Sequence, residues 1–464
     1  PLQRIGSSHL QPPNRVVAHC AMLALAASVC FWGFLLGSAN DLGDSTESDF
    51  QCPPTTDAAR DAALRVPMGD GTFLPILSSK PPRTHLLLLV LHGTSRNVEE
   101  YFTNTTSVAN EVKCGGLQTR VIAPAIPSVT PGQECTGADW GTGGSSSEKA
   151  LTWSGTREWA LGQNDDRVDN SISSFKALDK VVEWSVTTFA QSVLAVVITG
   201  FSTGAQLALR WAIFSVEGEG GVTATLNPRS NRGIPLRMVV SSPSTVTYLS
   251  DMRPIENCTE DEPTTRDFTC DSFAVPETGS RRRGKWVQKT CNGQFDDYQY
   301  GLAGLSEAAE GTAASDVAGY LGDLMNSADV PAALRARFKT KDIRFLTGTE
   351  DIKACGEGSC SNSCEAETTG MNRLQRMLNY MGHLEEVLGE KPNYGVFDGA
   401  HSHLVAFRSQ QFVEWAFPGL IDENGECDVE SQIDGATSPV APLLLAALMA
   451  CLGSFLPLAC HLLP

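Results

Sequence analysis

The stretch VLAVVITGFSTGAQLALRWAIF, residues 193–214, decides the predicted fold of this 464-residue chain. It opens with an uninterrupted apolar run at 193–198, which is typical of a strand buried on both faces of a parallel sheet. Residues 205–214 predict a helix, because their apolar residues continue over about three turns without a helix breaker. A Gly-x-Ser-x-Gly motif at residues 200–204 joins the two. The stretch therefore predicts a strand, a tight turn and a helix in direct succession.

The motif indicates a nucleophilic serine at the apex of that turn. A turn this tight leaves room only for small side chains, which explains Gly200 and Gly204. It would raise the Ser202 hydroxyl above the sheet and direct the N-terminus of the next helix towards it. The backbone N–H of Thr203 would then be placed to bind a developing oxyanion. The alternative interpretation is an ordinary strand-to-helix turn with a solvent-facing serine.

The same alternation of strands and helices extends in both directions from this stretch. Because such alternation builds βαβ units, it predicts a parallel sheet and the α/β class. Residues 171–189 predict a further helix, because apolar residues recur there at helical spacing. The other predicted strands are 71–77, which we expect to be one arm of an early strand pair, 86–91, 120–126, 236–240, 343–346 and 394–397.

Three segments depart from this alternation. Residues 40–68 are polar and predict irregular structure, and residues 130–155, rich in Gly and Ser, predict a long loop. Residues 250–335 hold three cysteines and the basic run 281–283. We interpret them as an insertion that lies over the edge of the sheet near the active site.

A serine hydroxyl needs a base, and two histidines follow the last predicted strand. In hydrolases with a serine at such a turn, the order along the chain is serine, then acid, then histidine. His401 and His403 both satisfy this order with respect to Ser202. We favour His401, because it lies nearer the strand end, and keep His403 as the alternative.

The acid of the triad is expected after the preceding strand, where an acidic pair follows Gly348. We select Asp351, three residues beyond that glycine, and keep Glu350 as the alternative. The carboxylate would hold the histidine in the required tautomer and stabilise its charged form. A surface acidic pair in an acidic protein is the competing interpretation.

The loop after strand 86–91 is expected to complete the site. It begins with His92, Gly93 and Thr94. In this arrangement the loop supplies the second oxyanion N–H, which we assign to Thr94. Gly93 allows the backbone to approach the site closely, and we expect His92 to be structural.

The charge of the chain excludes some partners. It has 35 basic and 53 acidic residues, a net charge of −18. Nucleic acids need a basic protein surface, so we predict no nucleic-acid partner. An anionic membrane surface is disfavoured as the main partner for the same reason.

Both ends of the chain have the composition of targeting segments. Residues 1–39 include a long apolar run, 16–36, followed by small residues, and predict a signal peptide cleaved after Ala39 or a retained signal anchor. Residues 436–464 form an apolar tail that predicts either a lipid-anchor (GPI) signal or a membrane-spanning tail. Residues 40–435 are then the folded domain. We expect association with a membrane only through the terminal segments on either side of it.

The cysteines indicate an oxidising compartment, since an even number in a secreted chain predicts disulfides. The spacing of Cys355, Cys360 and Cys364 lacks the paired pattern of zinc ribbons, so we predict disulfides and no metal there. Asn104 and Asn257 begin acceptor triplets for N-glycosylation, in keeping with the secretory pathway. The ten cysteines of residues 40–435 are Cys52, Cys114, Cys135, Cys258, Cys270, Cys291, Cys355, Cys360, Cys364 and Cys427.

The sequence resembles the α/β-hydrolase superfamily over about residues 70–415, through the loop at 91–93, the elbow at Ser202, the acid loop and His401. The resemblance implies a central, mostly parallel sheet flanked by helices, no cofactor, and the roles given to Asp351 and His401. Further segments are similar to an uncharacterised group of such hydrolases from plants, algae and microbes: 242–249, 300–302, 346–351 and 370–376.

The resulting hypothesis is a serine hydrolase of the esterase or lipase type. It would cleave a small-molecule or lipid-like carboxylic ester, thioester or amide through an acyl-enzyme formed on Ser202. Two alternatives stay open: a catalytically inactive hydrolase fold that serves as a cell-surface binding module, and an acyltransferase that uses the same triad. We expect a secreted or surface-tethered protein, and the sequence does not predict its oligomeric state.

Overall fold

The computed structural model describes residues 52–417, except 53, 113–116, 129–133, 142, 155–157, 190–191, 217–232, 256–258, 263–266, 270–271, 277–290 and 356–359. The predicted segments 1–39 and 436–464 and the glycosylation predicted at Asn257 lie outside the described residues. Within them, no helix is long and apolar enough to cross a membrane.

A sheet of nine strands forms the centre of the described structure. The strands of the described residues are β1 (Ala63–Gly69), β2 (Thr72–Ser78), β3 (Leu86–Leu91), β4 (Thr119–Pro124), β5 (Lys149–Ala150), β6 (Ala195–Phe201), β7 (Leu236–Ser241), β8 (Arg253–Pro254), β9 (Thr259–Glu262), β10 (Asp267–Thr269), β11 (Phe273–Ala274), β12 (Asp342–Gly348) and β13 (Asn393–Phe397). The order in the central sheet is β1-β2-β4-β3-β6-β7-β12-β13, with the short β5 beside β2. The strands from β4 to β13 in this order pair in parallel, whereas β2 is antiparallel to β1 and β4.

Helices cover both faces of this sheet. The helices are α1 (Asp57–Ala62), α2 (Val98–Glu111), α3 (Ser174–Phe189), α4 (Thr203–Phe214), α5 (Ala313–Leu321), α6 (Val330–Lys339), α7 (Cys364–Glu367), α8 (Arg373–Leu388), α9 (His403–Arg408) and α10 (Gln410–Ala416). One buried apolar cluster contains residues of α3, α4, α6 and α8, and a second contains residues of α2, α9 and α10. The α/β architecture expected from the sequence is therefore confirmed.

Strand β3 shows how the sheet divides the core. Leu87 and Leu89 belong to the first cluster, whereas Leu88 and Val90 belong to the second. Successive side chains of a strand point to opposite faces, so a strand with helices on both sides must be apolar at every position. This requirement explains the unbroken apolar run that predicted the strand.

The prediction of irregular structure for residues 40–68 is wrong for its last part. Residues 57–62 form helix α1, and 63–69 form strand β1, which is the second arm of the early strand pair. β1 lies at the edge of the sheet and its burial alternates only in part. Arg65 and Pro67 interrupt its apolar residues, and this interruption hid the strand. Likewise, the predicted long loop at 130–155 contains β5, which adds two residues beside β2.

Three disulfides connect described cysteines. Cys52 is bonded to Cys135, Cys291 to Cys364, and Cys355 to Cys360. The three closely spaced cysteines that raised the question of zinc therefore form disulfides, as predicted. Four of the other cysteines predicted to pair lie outside the described residues: Cys114, Cys258, Cys270 and Cys427.

The described part of the predicted insertion, residues 250–335, forms two small antiparallel strand pairs, β8 with β11 and β9 with β10. Strands β8, β9 and β10 contact helix α8. The Cys291–Cys364 disulfide ties the insertion to the chain that follows β12. The start of α6 also falls in this range, but α6 packs on α4 and leads into β12, so it is the crossover helix of the sheet.

Candidate active site

Ser202 occupies a strained position between β6 and α4. Its φ is 56° and its ψ is −118°, a conformation that a residue other than glycine adopts at a cost of about 1–3 kcal/mol. Its backbone N–H donates to the carbonyl of Ser241 at 3.1 Å, which holds the turn against the end of β7. The side chain is partly exposed. This is the strained strand-to-helix turn that the motif predicts.

The two glycines of the motif are required by backbone contacts. A Cβ atom on Gly200 would lie 2.3 Å from the carbonyl carbon of Gly204, and a Cβ on Gly204 would lie 2.3 Å from the carbonyl oxygen of Leu91. Both distances are far below van der Waals contact. The first contact closes the turn on itself, and the second presses the start of α4 against the end of β3.

That second contact brings Thr94 beside the start of α4. The hydroxyls of Thr94 and Thr203 contact each other. Thr203 is the first residue of α4, so its N–H has no partner within the helix and faces outward at the positive end of the helix dipole. The structure thus places the two residues predicted to bind the oxyanion next to each other and next to Ser202.

His92 anchors the loop that carries Thr94. Its side chain is buried, its Nδ1 lies 2.9 Å from the carbonyl oxygen of Gly93, and its Nε2 accepts the N–H of Ile126 at 3.2 Å. Burial lowers the pKa of His92 to about 4. One ring nitrogen contacts the loop itself and the other contacts the segment after β4, which suits the structural role expected for this residue.

A hydrogen bond connects the side chains of His401 and Asp351. His401 Nδ1 lies 2.8 Å from Asp351 Oδ2, which leaves Nε2 as the ring nitrogen available to a partner. The imidazole packs on the Phe201 ring at a centroid distance of 4.5 Å, and Phe201 directly precedes Ser202. The acid–base pair therefore lies beside the elbow.

The backbone of the two loops fixes this pair. The N–H groups of Thr349 and Glu350 donate to the carbonyls of Phe397 and Gly399, both at 3.0 Å. A Cβ on Gly348 would lie 2.3 Å from the carbonyl oxygen of Gly399. The loops after β12 and β13 are thus in direct backbone contact.

The alternatives kept for the acid and the base lie elsewhere. The Glu350 side chain is exposed, whereas Asp351 is 3% exposed. His403 stacks on Tyr101 at 4.1 Å, and its Nε2 lies 3.4 Å from Glu100 Oε1. The structure brings Asp351 and His401 together and places Glu350 and His403 outside that pair.

The sequence interpretation missed Arg373. This residue is 5% exposed, and its Nη1 lies 3.7 Å from Asp351 Oδ1, the carboxylate oxygen that His401 does not use. It is the first residue of α8, where a cation opposes the helix dipole. A basic residue directly after the capping Asn372 was the signal that could have drawn attention to it.

The pKa of His401 is lowered from its ordinary value. Burial is the main cause, and the positive charge of Arg373 lowers the pKa further. The hydrogen bond to Asp351 and the negative charge of that carboxylate raise it. A lowered pKa keeps the imidazole neutral at neutral pH, as a base must be before it accepts a proton.

Two other predicted features have defined surroundings. Asn104 is partly buried in α2, with its amide nitrogen 3.4 Å from His403 Nε2, so a glycan there would replace this contact. Among the described residues, no group of three or more His, Cys, Asp and Glu side chains is arranged to hold a metal ion.

No protein-family model matches this sequence, and no curated protein is significantly similar to it. Among solved structures, it is similar to poly(aspartic acid) hydrolase-1 from Sphingomonas sp. KT-1, with 17% identity over 74% of this chain and 94% of that chain and a TM-score of 0.42. It is also similar to the poly(3-hydroxybutyrate) depolymerase LpqC from Bordetella parapertussis, with 14% identity over 83% of this chain and 100% of that chain and a TM-score of 0.42. For carboxyl esterase 2 from Tuber melanosporum, the identity is 11% over 82% of this chain and 87% of that chain, with a TM-score of 0.33.

The fold assignment rests on the geometry of the chain itself. The sheet is mostly parallel and flanked by helices on both faces, with a strained serine turn between a central strand and its helix. The serine, the acid and the histidine follow one another along the chain in the order of this fold. The described part of the chain therefore has the α/β-hydrolase fold.

Proposed function

We propose that this protein is a serine hydrolase that cleaves a carboxylic ester through an acyl-enzyme. The observation that carries the proposal is the bonded Asp351–His401 pair, which lies against the residue preceding the strained Ser202. A strained backbone and a buried carboxylate that is hydrogen-bonded to a histidine both cost stability, and they coincide at the carboxyl end of the parallel strands.

In the proposed reaction, His401 accepts the Ser202 hydroxyl proton as Oγ attacks the ester carbonyl carbon. The negative charge that forms on the carbonyl oxygen is stabilised by the N–H groups of Thr94 and Thr203. His401 then returns the proton to the leaving alcohol as the C–O bond breaks. Water attacks the acyl-enzyme by the same route and releases the acid and free Ser202. Asp351 stabilises the imidazolium in both halves of the cycle.

The surroundings of the pair favour an uncharged, apolar substrate. Ile352 directly follows the proposed acid, and Leu404 and Val405 follow the proposed base at the start of α9. These side chains are 60%, 41% and 43% exposed. Exposed aliphatic groups so close to a reactive centre would bind the hydrocarbon part of an ester. With a net charge of −18, we propose no nucleic-acid partner.

We propose that the protein works in the secretory pathway or at the cell surface. The support is the set of disulfides between described cysteines, since such bonds persist in oxidising compartments. Attachment to a membrane, if present, is proposed to involve only the ends of the chain.

The test is labelling of the folded, disulfide-intact protein with a fluorophosphonate probe, with Ser202→Ala as the matched control. We expect the parent to be labelled and the variant to remain unlabelled. Labelling of both proteins would place the reactive group elsewhere. An unlabelled parent would overturn the proposal in favour of a binding module. Product analysis with an added alcohol then separates hydrolysis from acyl transfer.

A further inference from the structure

Arg373 stands where helix energetics alone would not place it. It is a buried cation at the first position of α8, where the exposed N–H groups already give the helix a partial positive charge. The helix is capped by another residue, since Asn372 Oδ1 accepts the N–H of Gln375 at 2.9 Å. Burying a charge is costly unless it is paired. The position of Arg373 therefore requires a partner that needs its charge.

That partner is the proposed acid. Asp351 divides its two carboxylate oxygens between His401, at 2.8 Å from Oδ2, and Arg373, at 3.7 Å from Oδ1. The backbone supports the arrangement, because the N–H of Leu374 donates to the carbonyl of Asp351 at 3.2 Å. The start of α8 and the acid loop are thus held together by both main chain and side chain.

Arg376, one turn further along α8, shows that burial alone does not dictate this contact. Its guanidinium is also buried, but it donates to the backbone carbonyls of Gly370, Ser244 and Ser361. Those bonds tie loops to the helix. Arg373 differs because its guanidinium faces the carboxylate of the proposed triad.

We propose that Arg373 is a positioning residue of the candidate triad: it fixes the Asp351 carboxylate for His401 and counterbalances the negative charge of that carboxylate. This inference rests on the proposed function and adds a control of the base that the triad residues alone do not provide. Arg373 acts through Asp351 and His401, and the proposal requires no contact between it and the substrate.

The sign of its electrostatic effect follows from the charges that face His401. Asp351 favours the imidazolium, whereas burial and the charge of Arg373 oppose it. The neighbouring His403, whose own pKa is lowered by burial and by His401, lies beside Glu100. Removal of the Arg373 charge would therefore raise the pKa of His401. A smaller fraction of the imidazole would then be neutral at a given acidic pH, so the acid limb of the rate profile would move to higher pH.

The experiment compares the parent, R373Q and R373K by the second-order rate constant of fluorophosphonate labelling as a function of pH. R373Q removes the charge, and we expect its acid limb at higher pH than that of the parent. R373K keeps the charge but lacks the planar guanidinium, so we expect an unmoved acid limb and a plateau rate lower by up to about a hundredfold, as for a misplaced catalytic group. A residue with only a structural role would lower the plateau without moving the limb in either variant.

Each outcome decides the inference. An acid limb of folded R373Q that coincides with that of the parent overturns it, while the labelled parent still supports the proposed function. An unlabelled parent overturns both. If near-UV circular dichroism shows that R373Q does not fold, R373M replaces it as the uncharged variant, and its acid limb is judged by the same criterion. A plateau rate of R373K equal to that of the parent would also overturn the positioning role.

Discussion

The elbow around Ser202 and the loops that carry Asp351 and His401 lie at the same edge of the sheet but are held by different forces. The elbow is fixed by steric contact, since a Cβ on Gly204 would lie 2.3 Å from the carbonyl oxygen of Leu91. In the acid–base pair, backbone contact holds the two loops together, but the side chains are oriented by charge and hydrogen bonding, with Asp351 between His401 and Arg373. Steric contacts within a short motif leave a readable pattern in sequence. Charge contacts between distant segments do not.

The two histidines after β13, which are separated by one residue in the chain, differ in their contact partners. His401 meets a buried carboxylate, whereas His403 stacks on Tyr101 and faces Glu100, which is exposed. Both belong to the loop and helix after β13, and both satisfy the order expected for a base. Only their partners distinguish them.

The largest expected effect tests this pair of histidines. We expect His401→Ala to lower kcat for a p-nitrophenyl ester by about 10⁶-fold, because the serine loses its base. His403→Ala, the matched control, should change kcat by less than about tenfold. Steady-state kinetics on both folded variants measures the difference. The reverse ranking would move the role of the base to His403.

The next effect tests the two acidic residues. Asp351→Asn should lower kcat by roughly 10⁴-fold, because an amide neither stabilises the imidazolium nor fixes the required tautomer. Glu350→Gln should have little effect, since that side chain is exposed and its loop is held through the backbone N–H. Equal losses in the two variants would argue against the assignment of Asp351.

The third effect tests the steric side of the comparison. Gly204→Ala should destabilise the fold by about 3 kcal/mol and abolish fluorophosphonate labelling, because the new Cβ meets rigid backbone. Gly319→Ala is the control, as a Cβ there meets nothing within 4 Å in helix α5, and it should stabilise by about 0.5–1 kcal/mol. Chemical unfolding and labelling together measure both effects. A stable, labelled Gly204→Ala protein would contradict the elbow geometry.

The smallest effect concerns the apolar surroundings of the acid–base pair. Leu404→Asn should lower kcat/KM for an octanoyl ester by about tenfold relative to an acetyl ester, through loss of apolar contact with the longer chain. Leu194→Asn is the control, because this leucine is similarly exposed, at 49%, but precedes the amino end of β6 at the opposite edge of the sheet. A chain-length preference unchanged in Leu404→Asn would indicate that the acyl group binds elsewhere.

Sequence patterns were most informative where local physical requirements were strict. Strand β3 is apolar at every position, and β6 is apolar over residues 195–198, because helices cover both faces of these strands. These apolar runs predicted the two strands to within about three residues. The edge strand β1 was missed because Arg65 and Pro67 interrupt its apolar residues, as an edge strand permits. Arg373 was missed because its role depends on the carboxylate of Asp351, which lies far from it in the sequence.

The α/β class, the serine turn and the pairing of cysteines into disulfides are predictable from the amino-acid sequence, because each follows from spacing and residue type within a short window or from composition. The contacts of Asp351 with His401, rather than with His403, and with Arg373 become apparent in the three-dimensional arrangement of the loops. These two kinds of contact differ in the sequence distance between the residues that make them. Backbone geometry is set by neighbours along the chain, whereas the partner of a charged side chain is set by which loops the sheet brings to one edge.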